Sequence, residues 1–357
     1  MAGKDMETKD IKSMTIEELS EEVKALGQPA FRAGQIFSWL HEKKVSDFSE
    51  MSNLPKELRE QLKEQYVLTR LEVLDVQISK LDGTRKYLFS LADGNVIESV
   101  FMRYRHGNSA CVSTQAGCRM GCKFCASAIG GLERNLIPSE MLEQIYEIEK
   151  HTKERISNVV LMGSGEPLDN YENVVAFIRL LNHEKGLNIS QRNITVSTCG
   201  LVPQMRRLAE EKLAVNLALS LHASNQKTRE SLMPIAKKYQ LMQVIEACQY
   251  YFARTGRRIT LEYSLIHGEN DSQREAEELA ALAKPLSCHI NLIPVNPVKE
   301  RNFRQSDKRN IENFKNKLEK SGINVTIRRE MGRDIDGACG QLRRSFLLNS
   351  KSPVSER

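Results

Sequence analysis

No apolar run in this 357-residue chain approaches the roughly 20 residues that a membrane-crossing helix needs. The start, Met1-Ala2-Gly3-Lys4-Asp5, leads into mixed charge and opens no apolar signal-peptide core. These absences set the expectation of a cytoplasmic protein without a membrane. In that compartment the eight cysteines are better read as ligands, catalysts or core residues than as structural disulfides. Tryptophan is scarce as well, Trp39 being alone. Charge is plentiful but uneven. Residues 1–67 carry ten Lys and Arg against thirteen Asp and Glu, and the remainder carries a net +9. A basic body suits a polyanion such as nucleic acid, although ordinary solubilising charge gives the same balance. Hydrophobic residues make up 40% of the chain, enough for a large core and two or three domains.

The sequence also lacks a fourth ligand where one would be looked for. Cys118, Cys122 and Cys125 are spaced C-x3-C-x2-C between Gly117, Gly121 and Phe124. A structural zinc site wants four ligands. A cuboidal iron–sulfur cluster normally takes four thiolates. Three thiolates leave one iron open, and an open metal position is where a substrate or cofactor binds. Buried core thiols are the plain alternative, but three in so compact a run favour a metal cluster.

Hydrophobic spacing divides the chain. Thr15 and Glu18 form a capping box for a helix over 16–25, ended by Gly27. A second helix runs Phe31 to His41, with Phe31, Ile36, Phe37 and Leu40 as its apolar stripe, and a third follows Pro55. The period then becomes two, over 71–76, 86–91 and 96–101, with Asp82-Gly83 and Asp93-Gly94 as turns. Another strand, 110–114, feeds the cysteine loop. Beyond it helices and strands alternate to residue 327, which predicts an α/β fold: an open barrel of about six parallel strands plus an edge strand. The expected divisions are a helical module at 1–67, an antiparallel meander at 68–108, the partial barrel at 109–345 and a tail at 346–357.

In such folds chemistry gathers at the carboxyl ends of the strands. Those ends here carry Gly163-Ser164-Gly165-Glu166-Pro167, Ser197, Ser220-Leu221-His222 and Asn296. The glycine turn lets backbone approach a small ligand, and Glu166 offers an acceptor for an ammonium or ribose hydroxyl. Ser197 and Ser220 offer hydroxyls, and Asn296 suits an adenine edge. His222 is either a cofactor neighbour or a hydrogen-bonded loop residue. Cys339 lies between Ala338 and Gly340 in an adaptable loop, and Cys111 lies on the strand before the cysteine loop; a nucleophile and a core thiol are both open readings for each.

Together, Gln115-Ala116-Gly117-Cys118, the C-x3-C-x2-C loop, Gly163 to Leu168, Ser220-Leu221-His222 and Asp334 to Leu342 resemble the radical S-adenosylmethionine (radical SAM) RNA methyltransferases of adenine. The resemblance covers nearly the whole chain, and is nearest to the family acting on adenine carbon 2 of 23S ribosomal and transfer RNA. A related family acts on carbon 8 and typically has Ala where this chain has Pro167. The resemblance implies a partial (β/α)6 radical SAM barrel. It implies a [4Fe–4S] cluster on Cys118, Cys122 and Cys125. S-adenosylmethionine would be lined by Gly165, Glu166, Pro167, Ser197, Ser220, Leu221, His222 and Asn296. Cys339 would carry the methyl group, Cys111 would resolve the covalent RNA intermediate by forming a disulfide, and Glu98 would accept a proton. Two S-adenosylmethionine molecules would serve each turnover, because carbon 2 of adenine is not nucleophilic. An electron donor such as flavodoxin or ferredoxin is implied, with the chain acting as a monomer. Arg103, Arg105, Arg257, Arg258, Arg301, Arg304, Arg328, Arg329 and Arg333 are candidates for phosphate contact. The competing expectations are the carbon-8 enzyme and a non-catalytic RNA-binding protein with a structural metal site.

Overall fold

The computed structural model describes residues 9–296, 300–335 and 340–350. Its first helices begin where the sequence signals place them. Thr15 and Glu18 cap Ile16–Ala25 reciprocally. Phe31–His41 follows, then Lys56–Gln65 after Pro55. Leu19, Val23, Ile36, Phe37, Leu40, Leu58 and Leu62 bury into one core. Phe31 is the exception to its expected stripe, being 61% exposed. It lies five residues before Ile36, about 140° around the helix, so it faces away from the core. The Arg32 guanidinium lies 4.9 Å from its ring centroid instead.

The module seats on helix Pro138–Thr152 through polar contacts that are themselves buried. Lys12 pairs with Glu143. His41 Nδ1 lies 2.8 Å from the Tyr146 hydroxyl.

The rest is built on one ten-stranded sheet. Strands Glu72–Ile78, Arg85–Ser90, Val96–Tyr104 and Gly107–Cys111 pair antiparallel in sequence. Gly107–Cys111 then lies parallel to Ile156–Leu161. The sheet continues in parallel through Ile194–Thr198, Asn216–Ser220, Ile259–Leu265, Cys288–Pro294 and Val325–Ile327. The parallel part therefore has the six strands and the edge strand that the pattern predicts. The meander is not separate from it but extends the same sheet. Helices Tyr171–Asn182, Val202–Glu210, Leu241–Thr255, Gln273–Ala283 and Lys308–Lys320 connect the parallel strands. Among the described residues no helix is long and apolar enough to cross a membrane.

A small hairpin closes the cysteine loop. Gln115–Gly117 pairs antiparallel with Leu132–Asn135, so all three cysteines lie between its strands. The Cys118 N–H donates to the Gly131 carbonyl at 2.8 Å. Gly117 sits at φ +80°, and a Cβ there would lie 2.1 Å from the Gly131 oxygen. Only glycine permits both the conformation and the close approach.

Candidate active site

The glycine turn is made by contact with the protein's own backbone. Gly165 sits at φ +109°, and a Cβ on it would fall 2.6 Å from the Gln115 Cβ. A Cβ on Gly163 would meet the Ser113 nitrogen at 2.7 Å. These glycines let the loop lie on Ser113–Gln115, the segment that leads into the cysteine loop. This close approach to protein fixes the turn. Gln115 Oε1 accepts from the Glu166 N–H at 2.8 Å. The Ser127 and Ser164 hydroxyls lie 3.2 Å apart, joining the far side of the cysteine loop to the same turn. Arg119, inside the loop, donates Nε to Asp169 at 2.9 Å.

Glu166 is buried. One oxygen accepts from the Leu168 N–H at 3.1 Å, the other from the Cys199 N–H at 2.8 Å. Burial raises its carboxyl above the usual range, against those hydrogen bonds. Pro167 begins a short 3-10 helix over Pro167–Asn170. On the next strands the Ser197 and Ser220 hydroxyls are 3.4 Å apart. Leu221 is fully buried, and its N–H donates to the Glu262 carbonyl at 3.0 Å. The His222 ring packs edge-on to Phe124 with centroids 4.8 Å apart. Its Nδ1 accepts from the Ser264 N–H at 2.9 Å. Burial, then Arg229, pushes its pKa down to about 3, so the imidazole is neutral.

The three thiols act on one another. Burial is the main cause that pushes Cys118 up to about 12, with Cys125, Glu166 and Asp169 adding to it. Cys122 is raised well above the usual thiol range by burial, then by Cys125 and Cys118. Metal binding removes that penalty, since a coordinating thiol is deprotonated outright. Among the described residues no three His, Cys, Asp or Glu side chains converge on one metal ion. Three thiols on one short loop are a soft donor set that fits an iron–sulfur cluster.

A cavity of about 420 Å³ opens beside this loop, lined in part by Cys111, Phe124, Cys125, Asn296, Arg328, Arg329, Arg333 and Gln341. Cys111 is buried in its wall with Val100 and Met102. Asn296 is exposed at the rim. Of the candidate arginines, Arg328, Arg329 and Arg333 reach this cavity. Arg103 is held bidentate by Glu154 through Nε, at 3.0 and 3.1 Å. Arg257 and Arg258 precede strand Ile259–Leu265, at the opposite end of the barrel.

Cys339 lies outside the described residues. Gly340, next in the chain, is tightly held. It sits at φ +80°, where a Cβ would meet the Ser127 nitrogen at 2.6 Å. Its N–H donates to Glu98 Oε1. The Arg343 N–H donates to Glu98 Oε2 at 3.1 Å, and Lys86 Nζ lies 3.1 Å from Oε1. The Arg343 guanidinium adds a 2.6 Å bond from Nε to the Val96 carbonyl. Glu98 thus caps helix Gln341–Ser350 from a distant strand while paired with a lysine that is 0% exposed. Lys86 was invisible in the sequence as a site residue. Its one signal is a cation within the apolar strand run Lys86-Tyr87-Leu88-Phe89. No disulfide joins the described cysteines.

A parallel-rich α/β sheet with a three-cysteine loop after its first parallel strand, facing glycine- and serine-bearing strand ends, defines a radical SAM protein. Residues 112–280 match the radical SAM superfamily, and residues 9–68 match the ribosomal RNA large subunit methyltransferase N-terminal domain. A probable dual-specificity RNA methyltransferase RlmN from Lachnospira eligens is 59% identical, over 95% of this chain and 97% of its own length. The protein of the same name from Lachnoclostridium phytofermentans is 59% identical over 97% of each chain. A radical SAM methyltransferase from Sphaerobacter thermophilus superposes with a TM-score of 0.88 at 43% identity, covering 93% of this chain and 98% of its own. The chain belongs to the RlmN family of radical SAM methyltransferases.

Proposed function

We propose that this protein methylates carbon 2 of adenine in 23S ribosomal RNA and in the anticodon loop of transfer RNA. Family membership and the relatives' names support the RNA substrate and its dual specificity. Carbon 2 rests on Pro167. Cys118, Cys122 and Cys125 would hold the [4Fe–4S] cluster, which when bound supplies one-electron cleavage of S-adenosylmethionine.

The remaining roles belong to the chain itself. Gly165 and Pro167 set the turn that presents Glu166. Because two backbone N–H groups already engage Glu166, it meets an ammonium with its remaining lone pairs. Ser197 and Ser220 offer a pair of hydroxyls to the cofactor, Leu221 its carbonyl, His222 a neutral ring and Asn296 an amide at the rim. Cys339 carries the methyl carbon and is joined through it to the base. Cys111 then attacks the Cys339 sulfur, releasing the methylated base and leaving a disulfide for external thiols to reduce. Glu98 positions Gly340, and the lone pair left on Oε2 beside the Arg343 N–H is the one that would accept the ring proton. Arg328, Arg329 and Arg333 meet phosphate, and the target base leaves its stack to enter the cavity. A low-potential donor such as flavodoxin or ferredoxin supplies the electron to the monomer in the cytoplasm. Residues 1–67 act as the accessory module and 109–345 as the catalytic barrel.

The observation that carries this reading is the fixing of Gly340 against Glu98 and Ser127. It brings Gln341 into the wall of the cavity that Cys111 and Cys125 also line. Mass spectrometry of nucleosides from ribosomal and transfer RNA treated with reduced enzyme tests it. The expected product is 2-methyladenosine from both. Only 8-methyladenosine, or no methylated adenosine, overturns the assignment.

A further inference from the structure

Arg229 is the largest fully buried side chain of the described residues, at 0% exposure. It lies on helix Gln226–Leu232, capped by Asn225. Its Nη2 donates to the Cys199 carbonyl at 2.7 Å. Its Nε and Nη1 have no hydrogen-bond partner among the described residues. A buried cation normally carries a carboxylate beside it, because an unpaired buried charge is costly. Here burial lowers the guanidinium from the usual arginine range, and the groups that oppose this are the thiols of Cys199, Cys122 and Cys248.

The helix is seated on the cysteine loop. The Lys123 N–H donates to the Leu232 carbonyl at 2.9 Å. A Cβ on Gly121 would touch Pro234 at 3.4 Å. On the other side, a Cβ on Gly200 would lie 3.3 Å from Arg229 Nη2. The guanidinium is thus held at Cys199 by a helix that seats on the cluster loop, with Nε and Nη1 uncommitted among the described residues.

We propose that Arg229 is the built-in counter-charge of the iron–sulfur cluster and raises its reduction potential. This rests on Cys118, Cys122 and Cys125 being the ligands. Three thiolates on an oxidised [4Fe–4S]2+ core give a net charge of −1, and one added electron gives −2. A fixed positive charge in a water-poor site stabilises the second state more than the first. The same cation completes its own electrostatics only when the cluster is present.

The test uses the full chain, reconstituted anaerobically without RNA, as wild type, R229K and R229M. Iron and sulfide are measured per chain, and the midpoint is found by dithionite titration followed by electron paramagnetic resonance. R229M is expected to move the midpoint at least 59 mV more negative, a tenfold fall in the reduced fraction ratio at fixed potential for one electron. R229K is expected to stay near wild type. A fully loaded R229M with an unchanged midpoint overturns the proposal. If R229M fails to load, thermal unfolding of the cluster-free proteins decides. R229M is expected to melt no lower than wild type, because the uncompensated charge is gone. A lower melting temperature would make Arg229 a structural residue and overturn the proposal. Wild-type protein without iron and sulfide would remove the functional reading as well, so the two failures are told apart before any variant is compared.

Discussion

Replacing Glu98 by alanine would separate the end of the chain from the sheet. The carboxylate accepts from the Gly340 and Arg343 N–H groups and pairs with Lys86 at 3.1 Å, and neither member of that pair is more than 2% exposed. Removing one partner of a buried ion pair costs about 3–5 kcal/mol, because the other charge is stranded. The two N–H groups add about 1–3 kcal/mol each if they stay buried. Undocking helix Gln341–Ser350 is the cheaper response, since water then satisfies them. Glu98→Ala should therefore lower the urea midpoint by the ion-pair contribution alone. It should also strip hydrogen-exchange protection from 341–350 while leaving the central strands protected. Lys86→Met should cost a similar amount, and Lys86→Met with Glu98→Gln should recover most of it, because no charge is stranded and an acceptor remains. Unchanged exchange over 341–350 in Glu98→Ala would refute the cap, and additive single effects would refute the pairing.

Four further outcomes follow from other contacts. Burial, then Lys12 and His183, pushes His41 down to about 3 from 6.5. The unfolded chain takes up a proton that the folded chain refuses, so stability falls as pH drops through that window, by about 2 kcal/mol at pH 5. Denaturation from pH 7 to 4 should show a shallower decline in His41→Gln, and an identical slope would exclude the histidine. Cys339→Ala should bind cluster and cleave S-adenosylmethionine without making methyladenine, and normal turnover by it would sink the carrier role. Cys111→Ala should accumulate an RNA–protein adduct on denaturing gels; free product without adduct would contradict its role. Gly165→Ala forces an ordinary side chain into φ +109° and against Gln115. It should destabilise by roughly 1–3 kcal/mol, seen as a lower melting temperature.

Much of the scaffold was legible because its signals are local. Thr15 with Glu18 announces a helix, and period-two runs announce the meander. The alternation after residue 138 gives the parallel sheet strand by strand. The cysteine spacing is legible for the same reason. What escaped depends on residues far apart in sequence. Helix Gln341–Ser350 has its cap on another strand, so no Ser, Thr or Asp before it marks its start. Helix Gln226–Leu232 has only seven residues, too few for a period. Strand Val96–Tyr104 is buried on both faces through Met102, so Glu98 gives no hint of the partners it meets. Phe31 shows the opposite error, an apolar residue read as core that the helix turns outward. Arg229 stands among polar neighbours and reads as surface charge until the fold closes over it.

The contact between Glu98 and Gly340 joins positions 242 residues apart. The last strand of the sheet ends at Ile327. During synthesis every strand has therefore emerged before the residue that Glu98 grips. A chain stopped after Ile327 would possess the cysteine loop and every strand of the sheet, yet lack Gly340 and the helix that Glu98 caps. The grip of Glu98 on Gly340 therefore closes among the last contacts of folding, after the sheet that carries Glu98 is already paired.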